Sequence, residues 1–228
     1  MKHVKSKRLT MFPMSIEEMD NLINNETDAD TKEAYISIKD KAENNPSEYK
    51  WYSAWKVCLK EDGKIIGEFH FSGLNNNTSQ IGYQIFKEYW GQGYTYEVLD
   101  AMINFALSQD EVYFIEMLIK DDDEYKINAL EKLKFKIVAE FDNKRLYVLE
   151  KPKSRLLIIF ASIGLCIGVA IGIGLNNIAI GAGVGICLGG LIGATIDKND
   201  EDKRKECQDA RRAQGEEESK TQEEKDLE

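Results

Sequence analysis

Two titratable side chains, Glu68 and His70, lie two residues apart in the first half of the chain. They belong to an apolar run, Ile65 to Phe71, which is typical of a strand. Neighbours two apart on a strand share a face, so we expect Glu68 and His70 on one face and Phe69 and Phe71 on the other. A carboxylate or imidazole in a cleft can take a proton from an amine, directly or through water. We therefore predict both as candidate catalytic bases; the competing interpretation is a hydrogen-bonded polar face without chemistry.

A loop with two glycines follows the third predicted strand and has the sequence Tyr89-Trp90-Gly91-Gln92-Gly93-Tyr94-Thr95-Tyr96-Glu97. Because Gly91 and Gly93 lack Cβ atoms, an anion can approach the backbone amides closely. The helix predicted after the loop adds roughly half a positive charge at its N-terminus. The loop therefore predicts a phosphate cradle built from amides, without Lys or Arg. It is neither a dinucleotide fingerprint nor a P-loop, because the third glycine and the Gly-Lys-Ser/Thr sequence are missing.

The elements that would position these residues are visible in the hydrophobic periodicity. Alternation predicts strands over 51–59, 65–71, 80–86, 112–119, 135–141 and 146–149. Helical spacing predicts a helix capped by Ser15 and helices over 31–42, 97–107 and 127–133. Early helices, a strand meander and then alternating strands and helices indicate an α+β domain with a mixed sheet.

Three motifs, in this order along the chain, resemble the GNAT acetyltransferase superfamily, closest to its branch of ribosomal-protein N-terminal acetyltransferases. The sequence Asp62-Gly63-Lys64-Ile65-Ile66-Gly67 is similar to the strand pair that precedes the cofactor motif. Ile81-Gly82-Tyr83, followed by Glu88 to Tyr94, is similar to the acyl-CoA-binding motif itself. Leu130 to Phe135 is similar to a late LEKLGF segment. The resemblance implies a GNAT-like, mostly antiparallel mixed sheet flanked by helices.

The resemblance covers residues 8–152 and implies an N-acetyltransferase that binds acetyl-CoA. The reaction that this implies is direct attack of an amine on the thioester in a ternary complex, so no nucleophilic cysteine is needed. The amine acceptor is not identified by the sequence. The pantetheine arm is expected beside the strand that ends at Ile85 and Phe86. The diphosphate is expected on the loop of Gly91 and on the amides of Gln92, Gly93, Tyr94 and Thr95.

Several positions depart from the pattern of the family. Asp123 stands where Asn is frequent and Lys126 where a small residue is frequent, and the resemblance places both at the cofactor. Lys134 replaces the glycine of the LEKLGF segment, and Leu130 stands where many members carry a general-acid tyrosine. The acidic run 121–124 could weaken cofactor binding or attract a cationic acceptor.

Residues 156–196 contain no charged side chain, and we interpret them as two transmembrane helices. The spans, 156–175 and 178–196, are each close to the ~20 residues that cross a bilayer, and the pair Asn176-Asn177 between them favours a turn. Gly164, Gly168 and Gly172, and likewise Gly181, Gly185, Gly189 and Gly193, recur every four residues. This glycine-zipper-like spacing predicts an antiparallel hairpin packed through its glycine faces, which could also join neighbouring chains.

Basic residues flank the apolar block on both sides, at Lys151, Lys153 and Arg155 and again from Lys198 to Lys205. The positive-inside rule then places the soluble domain and the tail in the cytoplasm of a two-span membrane protein. The alternatives are a buried helical pair in a soluble protein and a surface-lying or oligomeric element. The predicted domains are residues 1–153, the hairpin 154–196 and a charged tail 197–228, which we expect to be disordered or a frayed helix.

The formal net charge of −10 argues against nucleic acid as a partner, because that binding depends on Lys and Arg. The four cysteines have no metal-type spacing, so we expect no metal. Three functions remain open: a membrane-tethered N-acetyltransferase, a non-catalytic GNAT-fold binding or sensing module, and a hairpin-centred assembly that the domain regulates. Trp51, Trp55 and Tyr83 could line an acceptor pocket, although core packing is the stronger interpretation.

Overall fold

The computed structural model describes residues 3–120, 123–141 and 143–226. Asp121 and Asp122 of the acidic run lie outside the described residues. The chain divides into two compact units, Met1–Lys151 and Pro152–Glu228. Each unit is described by itself below.

Within the described part of the first unit, eight strands form one sheet in the order β1-β2-β3-β4-β5-β6-β8-β7. The strands are β1 Val4–Lys5, β2 Leu9–Pro13, β3 Ala54–Leu59, β4 Ile65–Phe71, β5 Thr78–Ile85, β6 Phe114–Lys120, β7 Lys136–Phe141 and β8 Lys144–Glu150. The helices are α1 Ile16–Asn25, α2 Ala29–Asn44, α3 Tyr49–Tyr52, α4 Tyr94–Leu107 and α5 Glu124–Lys132. All strand pairs are antiparallel except β5–β6, so the predicted α+β class with a mixed, mostly antiparallel sheet is confirmed.

The two faces of the sheet carry different layers. Phe69 and Phe71 of β4 pack with Val98, Leu99 and Met102 of α4 in the main core. A second cluster, which contains Met19, Tyr35, Ile38 and Ala42, joins α1 and α2 to the sheet at Ala54. Glu68 therefore lies on the face that α1 and α2 cover, opposite α4, as alternation requires.

Residues 51–53, predicted as the start of a strand, are not part of β3. Tyr49–Tyr52 form a helical turn after a 3-10 turn at Pro46–Glu48, and the strand begins at Ala54. Trp51 fits this turn because its ring packs edge-on against Phe71, 5.0 Å away, and is 1% exposed. The aromatic run resembled a strand locally, and tertiary packing decides otherwise.

Strands β5 and β6 pair over only three residues before they separate. Thr78, Ser79 and Gln80 face Phe114, Ile115 and Glu116, while β5 continues to Ile85 and β6 to Lys120. The far part of each strand therefore has a free inner edge, which is a place where an extended ligand can add to a sheet.

Lys134 has a positive φ of 66° just after α5, where glycine is strongly preferred. Its amide bonds to the Glu131 carbonyl at 2.9 Å, and the next amide, of Phe135, bonds to Leu130 at 3.0 Å. We expect Lys134→Gly to raise the free energy of unfolding by about 0.5–1 kcal/mol, because glycine removes the steric cost of this conformation. Chemical denaturation measures the change. Lys132→Gly, at the last residue of α5, is the control and should destabilise the protein, because glycine is a poor helix former.

The second unit consists of two long helices, α6 Leu156–Gly174 and α7 Ile178–Asp226. They are joined at Asn176, whose φ is 56°, and Asn177 Oδ1 accepts the Ile180 amide at 3.2 Å. Backbones approach closely where glycines meet: a Cβ on Gly164 would strike the Gly185 carbonyl, and one on Gly168 that of Gly181. These pairs run in opposite directions along the two helices, so α6 and α7 are antiparallel.

One carboxylate, that of Asp197, links α7 to the first turn of α6. Asp197 of α7 accepts hydrogen bonds from the amides of Leu156 and Leu157, at 3.0 and 2.9 Å, and from the Ser154 hydroxyl at 2.6 Å. It thereby caps the first turn of α6 from the other helix. Helix α7 runs through this point without a break, so the charged segment after residue 196 continues the apolar helix.

Candidate functional site

The loop before α4 leaves the N-terminus of that helix open. Gly93 is the cap residue, with φ 79° and no capping side chain, and Gly91 has φ 74°. The helical ladder begins with the bond from the Glu97 amide to the Gly93 carbonyl at 3.3 Å, which leaves the amides of Tyr94 and Thr95 outside it. These amides and the helix dipole can bind an anion, as the sequence predicts.

Arg8 holds this loop in place and was missed by the sequence reasoning. Its Nη1 donates to the Gln92 carbonyl at 3.1 Å and its Nε to Glu97 at 2.7 Å. The guanidinium also lies 4.2 Å above the ring of Tyr94. The cradle therefore has an arginine beside it, contrary to the expectation that it contains no Lys or Arg.

Glu97 is the partner that anchors Arg8. It accepts bonds from the Ser6 hydroxyl at 2.7 Å and from the backbone and side chain of Arg8. Burial alone would raise its pKa, but these bonds and the charge of Arg8 hold the pKa of Glu97 below its usual range. Glu97 is thus an ionised support of the α4 N-terminus.

On the opposite face of the sheet, Glu68 lines a cavity of about 500 Å³ beneath α1 and α2. Its Oε1 accepts a hydrogen bond from the Tyr35 hydroxyl, and the Gln84 side chain lies 3.4 Å from the same hydroxyl. Its Oε2 is buried and has no hydrogen-bond partner among the described residues. Tyr35 belongs to α2 and was not singled out by the sequence, since its position looks like an ordinary core position of that helix.

The environment of Glu68 shifts its proton affinity toward neutrality. Burial raises the pKa of Glu68 to about 7, the Tyr35 hydrogen bond opposes the shift, and the charge of Glu26 adds to it. Burial and the Glu68 charge also raise the pKa of Tyr35 far above its usual value. Glu68 can therefore accept and release a proton near pH 7, whereas Tyr35 stays protonated.

His70, the other predicted base, lies in a tighter place on the same face. Its ring covers Gly82, where a Cβ would collide with the imidazole. Burial lowers the pKa of His70 to about 4, and its Nδ1 is buried without a partner among the described residues. Of the two candidates, Glu68 is the one that lines the cavity.

Three more charged side chains reach the cavity. Lys56 forms an ion pair with Glu18, whose other oxygen accepts the Ser15 amide at 2.9 Å. Glu26 accepts the amides of Thr27 and Asp28, at 2.8 and 2.9 Å. The apolar part of the cavity lining consists of Met14, Leu22, Ile65 and Phe86.

The predicted neighbours of the pantetheine arm lie where β5 separates from β6. Ile85 is buried and Phe86 is 41% exposed. The Trp90 indole donates to the Ile85 carbonyl at 2.6 Å and lies 6.2 Å from the Tyr125 ring. The indole already uses one of the two acceptor positions of this carbonyl, so a ligand amide must take the second position or displace the indole.

Asp123 and Lys126 stand at the start of α5 and bind each other. Asp123 caps the helix by accepting the Lys126 amide at 3.1 Å, and the two side chains form an ion pair of 2.9 Å. Lys126 Nζ also lies 5.7 Å from the centre of the Tyr83 ring. This pair therefore lies near the ring of Tyr83, which is in β5 on the side of the sheet that faces α4.

The remaining candidates belong to the core. Trp51, Trp55 and Leu130 are at most 1% exposed and Tyr83 is 9% exposed. Among the described residues, no group of three or more His, Cys, Asp or Glu side chains is arranged to hold a metal ion.

Comparison with known protein families matches residues 8–136 to the acetyltransferase (GNAT) domain. This stretch includes the glycine loop, Glu68 and Arg8, and it covers more than half of the chain.

Individual relatives agree with this match. An uncharacterized N-acetyltransferase p20 of Bacillus licheniformis is 23% identical over 111 residues, which span 46% of this chain and 58% of that protein. The ribosomal-protein-S5-alanine acetyltransferase of Vibrio fischeri has the same fold, with a TM-score of 0.53 and 12% identity over 66% of this chain and 97% of that one. Mycobacterium smegmatis RimJ, solved with a CoA-disulfide, gives a TM-score of 0.51 and 12% identity over 65% and 87%.

Proposed function

Because the chain belongs to the GNAT acetyltransferase family, we propose that it is an N-acetyltransferase that moves acetyl from acetyl-CoA to an amine in a ternary complex. The observation that carries this proposal is the open N-terminus of α4, where Gly93 caps the helix without a side chain. An anionic ester of diphosphate is the kind of ligand that such amides bind. Acetyl-CoA supplies the acetyl group as a thioester.

The residues around the cradle suit each part of this ligand. The amides of Gln92, Gly93, Tyr94 and Thr95 are proposed to bind the diphosphate. Gly91, where nothing lies within 4 Å of an added Cβ, keeps the loop free of side-chain bulk. The free edge of β5 near Ile85 and Phe86 suits the amide-bearing arm. Asp123 and Lys126 are proposed to flank that arm, with Lys126 offering a positive charge.

Glu68 is proposed as the base. An acceptor ammonium gives one proton to Glu68, which releases it to solvent through the cavity. The neutral amine then forms the C–N bond as the C–S bond breaks, and its second proton ends on the thiol sulfur. Tyr35 keeps the carboxylate in position through its hydrogen bond to Oε1. His70 remains a weaker candidate because its low pKa leaves it a poor proton acceptor.

Acetyl transfer is tested with the full chain in detergent, acetyl-CoA and a panel of primary amines, by following thiol release and the mass of the acetylated amine. We expect amine-dependent thiol release. Absence of release from a protein that binds acetyl-CoA would contradict catalysis. It would instead support the second candidate, a non-catalytic binding or sensing module, which the Trp90 bond to the Ile85 carbonyl favours.

We expect Arg8→Gln to weaken acetyl-CoA binding about tenfold, because the loop loses its anchor to Glu97 and the cradle loses a nearby positive charge. Calorimetry measures the change. Lys7→Gln removes the same charge from an exposed neighbouring position and should leave the affinity unchanged. Equal effects of the two variants would show that only net charge matters.

We further propose that the second unit anchors the protein in a membrane, with the soluble domain and the tail in the cytoplasm. Leu156–Gly174 and Ile178–Ala213 are long and apolar enough to cross a bilayer, and in each the most apolar window is at most 17% buried. Such exposure suits lipid better than water, which argues against a buried core pair. The flanking Lys and Arg residues favour the cytoplasmic side for both ends.

Substitution Ile171→Lys tests the anchor, because Ile171 is 56% exposed. A charge in lipid costs about 3 kcal/mol, so the variant should be released more readily from membranes by alkaline carbonate. Ile137→Lys, at a position 47% exposed in the first unit, is the control and should stay with the membrane like the natural chain. Full release of the natural chain would contradict the proposal.

A further inference from the structure

The cavity beside Glu68 contains two carboxylates without a cationic partner. Of the described residues that line it, Lys56 is the one cation, and it is already paired with Glu18. Among the ion pairs within the described part of the chain, none involves Glu68 or Glu26. A ligand that fills the cavity therefore meets two unneutralised acidic groups.

The first of these carboxylates, Glu68, has an oxygen atom that a ligand could bind. The residue is 4% exposed, and its Oε2 is buried with no hydrogen-bond partner among the described residues. A buried carboxylate oxygen without a partner is costly, and a hydrogen-bond donor in the cavity would remove that cost. An ammonium group supplies both the donor and the opposite charge.

The second carboxylate, Glu26, is at the end of α1 and is held by backbone amides of the next residues. Because its Oε1 accepts from the amides of Thr27 and Asp28, the side chain has a fixed position in the lining of the cavity. The charge of Glu26 is near enough to Glu68 to contribute to raising the pKa of that group. A second cation at Glu26 would relieve this repulsion.

The wall between the charged groups is apolar. Leu22, Ile65 and Phe86 line the cavity together with Met14. Its volume of about 500 Å³ lies within the ~300–1,000 Å³ that is usual for small-molecule sites. A methylene chain suits such a wall, whereas a peptide backbone would place polar groups against it.

We propose that the acceptor is a small linear diamine whose two ends are both charged. One ammonium binds at Glu68, loses its proton there and is acetylated, while the other stays charged at Glu26. This inference rests on the proposed function, since the reacting end is defined by Glu68 as the base. It names the acceptor class for this site from the charges and the apolar lining of the cavity.

The test uses the full chain in detergent and three acceptors: 1,4-diaminobutane, 4-amino-1-butanol and a short peptide with a free N-terminus. The two small amines have the same length, and only the charge of the far end differs. We expect kcat/KM to be at least tenfold higher for the diamine than for the amino alcohol, and lowest for the peptide. A higher value for the peptide, or equal values for the small amines, would overturn the inference while the proposed transferase function stands.

The variant Glu26→Gln keeps the side-chain oxygen that accepts the two amides but removes the charge. It should lower kcat/KM for diaminobutane about tenfold more than for aminobutanol. Glu33→Gln, at an exposed position of α2, removes the same charge and should leave the ratio of the two amines unchanged. A ratio that Glu26→Gln leaves as it was would overturn the inference.

Calorimetric titration with diaminobutane separates this inference from the proposed function. If acetyl-CoA fails to bind, the transferase proposal fails. Saturable diamine binding that Glu26→Gln weakens still supports the cavity as a diamine site, and absence of such binding contradicts it.

Discussion

Glu68→Gln should lower acetyl transfer at least a hundredfold and at the same time make the folded protein more stable at pH 8. The rate falls because a general base contributes roughly 10²–10⁴-fold, and Gln cannot accept a proton. The amide oxygen can still accept the Tyr35 hydroxyl, so the packing of α2 on the sheet is kept. Rates and denaturation curves are measured on the same preparations.

The gain in stability follows from the pKa of Glu68, which is raised from 4.5 to about 7 by burial. Between these values the folded state binds more protons than the unfolded state, so the natural protein loses stability as pH rises from 4.5 to about 7. The loss is about 3 kcal/mol and is complete above pH 7. Glu68→Gln removes it, and Glu131→Gln, on the exposed side of α5, is the control that should change neither quantity.

The pH profile of the rate gives a second view of the same group. Tyr35, Glu26, Lys56 and Glu18 are the titratable side chains that line the cavity with Glu68. Since the base must be deprotonated, kcat should rise with pH and level off above the pKa of about 7. A profile with a midpoint near 4 would point to His70 instead.

Gly93→Ala should weaken acetyl-CoA binding by more than tenfold. Gly93 caps α4 with φ 79°, a conformation that costs an Ala residue about 1 kcal/mol or more. The nearest side-chain atom to an added Cβ is Arg8 Nη2 at 3.7 Å, so the methyl group fits the unliganded loop. We expect it to compete with the diphosphate for the space in front of the amides.

Gly63→Ala is the matched control for this substitution. Gly63 lies in the turn between β3 and β4, has φ 74° and has nothing within 4 Å of an added Cβ. Both variants carry the same backbone strain, and only one of them is at the cradle. We expect the two variants to lose the same amount of stability, while Gly93→Ala alone loses affinity for acetyl-CoA. Equal affinity of the two variants for acetyl-CoA would mean that the loop does not bind the diphosphate.

The sequence predicted those parts of the fold that depend on residues close together in the chain. The turn at Gly63, the cap at Ser15 and the alternation around Glu68 each depend on a few adjacent residues, and each is found in the structure. The start of α4 at Tyr94, and not at residue 97, follows from Gly93 as cap. Hydrophobic periodicity supplied the order of the elements around them, and the family resemblance supplied their arrangement as a GNAT-like sheet.

The missed features depend on contacts between distant residues. Strands β1 and β2 are short and contain Lys5 and Pro13, so they give little alternation, and β2 is held by pairing with β3. That pairing brings Arg8 to Glu97, 89 residues away. Tyr35 reaches Glu68 only because α2 packs on the sheet. A local sequence pattern cannot predict which polar side chains come into contact when they are far apart in the chain.

The central claim is that the open N-terminus of α4 binds the diphosphate of acetyl-CoA. Calorimetric titration of the full chain in detergent with acetyl-CoA, beside the same titration of Gly93→Ala and Gly63→Ala, tests it most directly. We expect saturable binding that Gly93→Ala weakens more than tenfold and Gly63→Ala leaves unchanged. No binding to the natural chain, or the same binding to all three proteins, would contradict it.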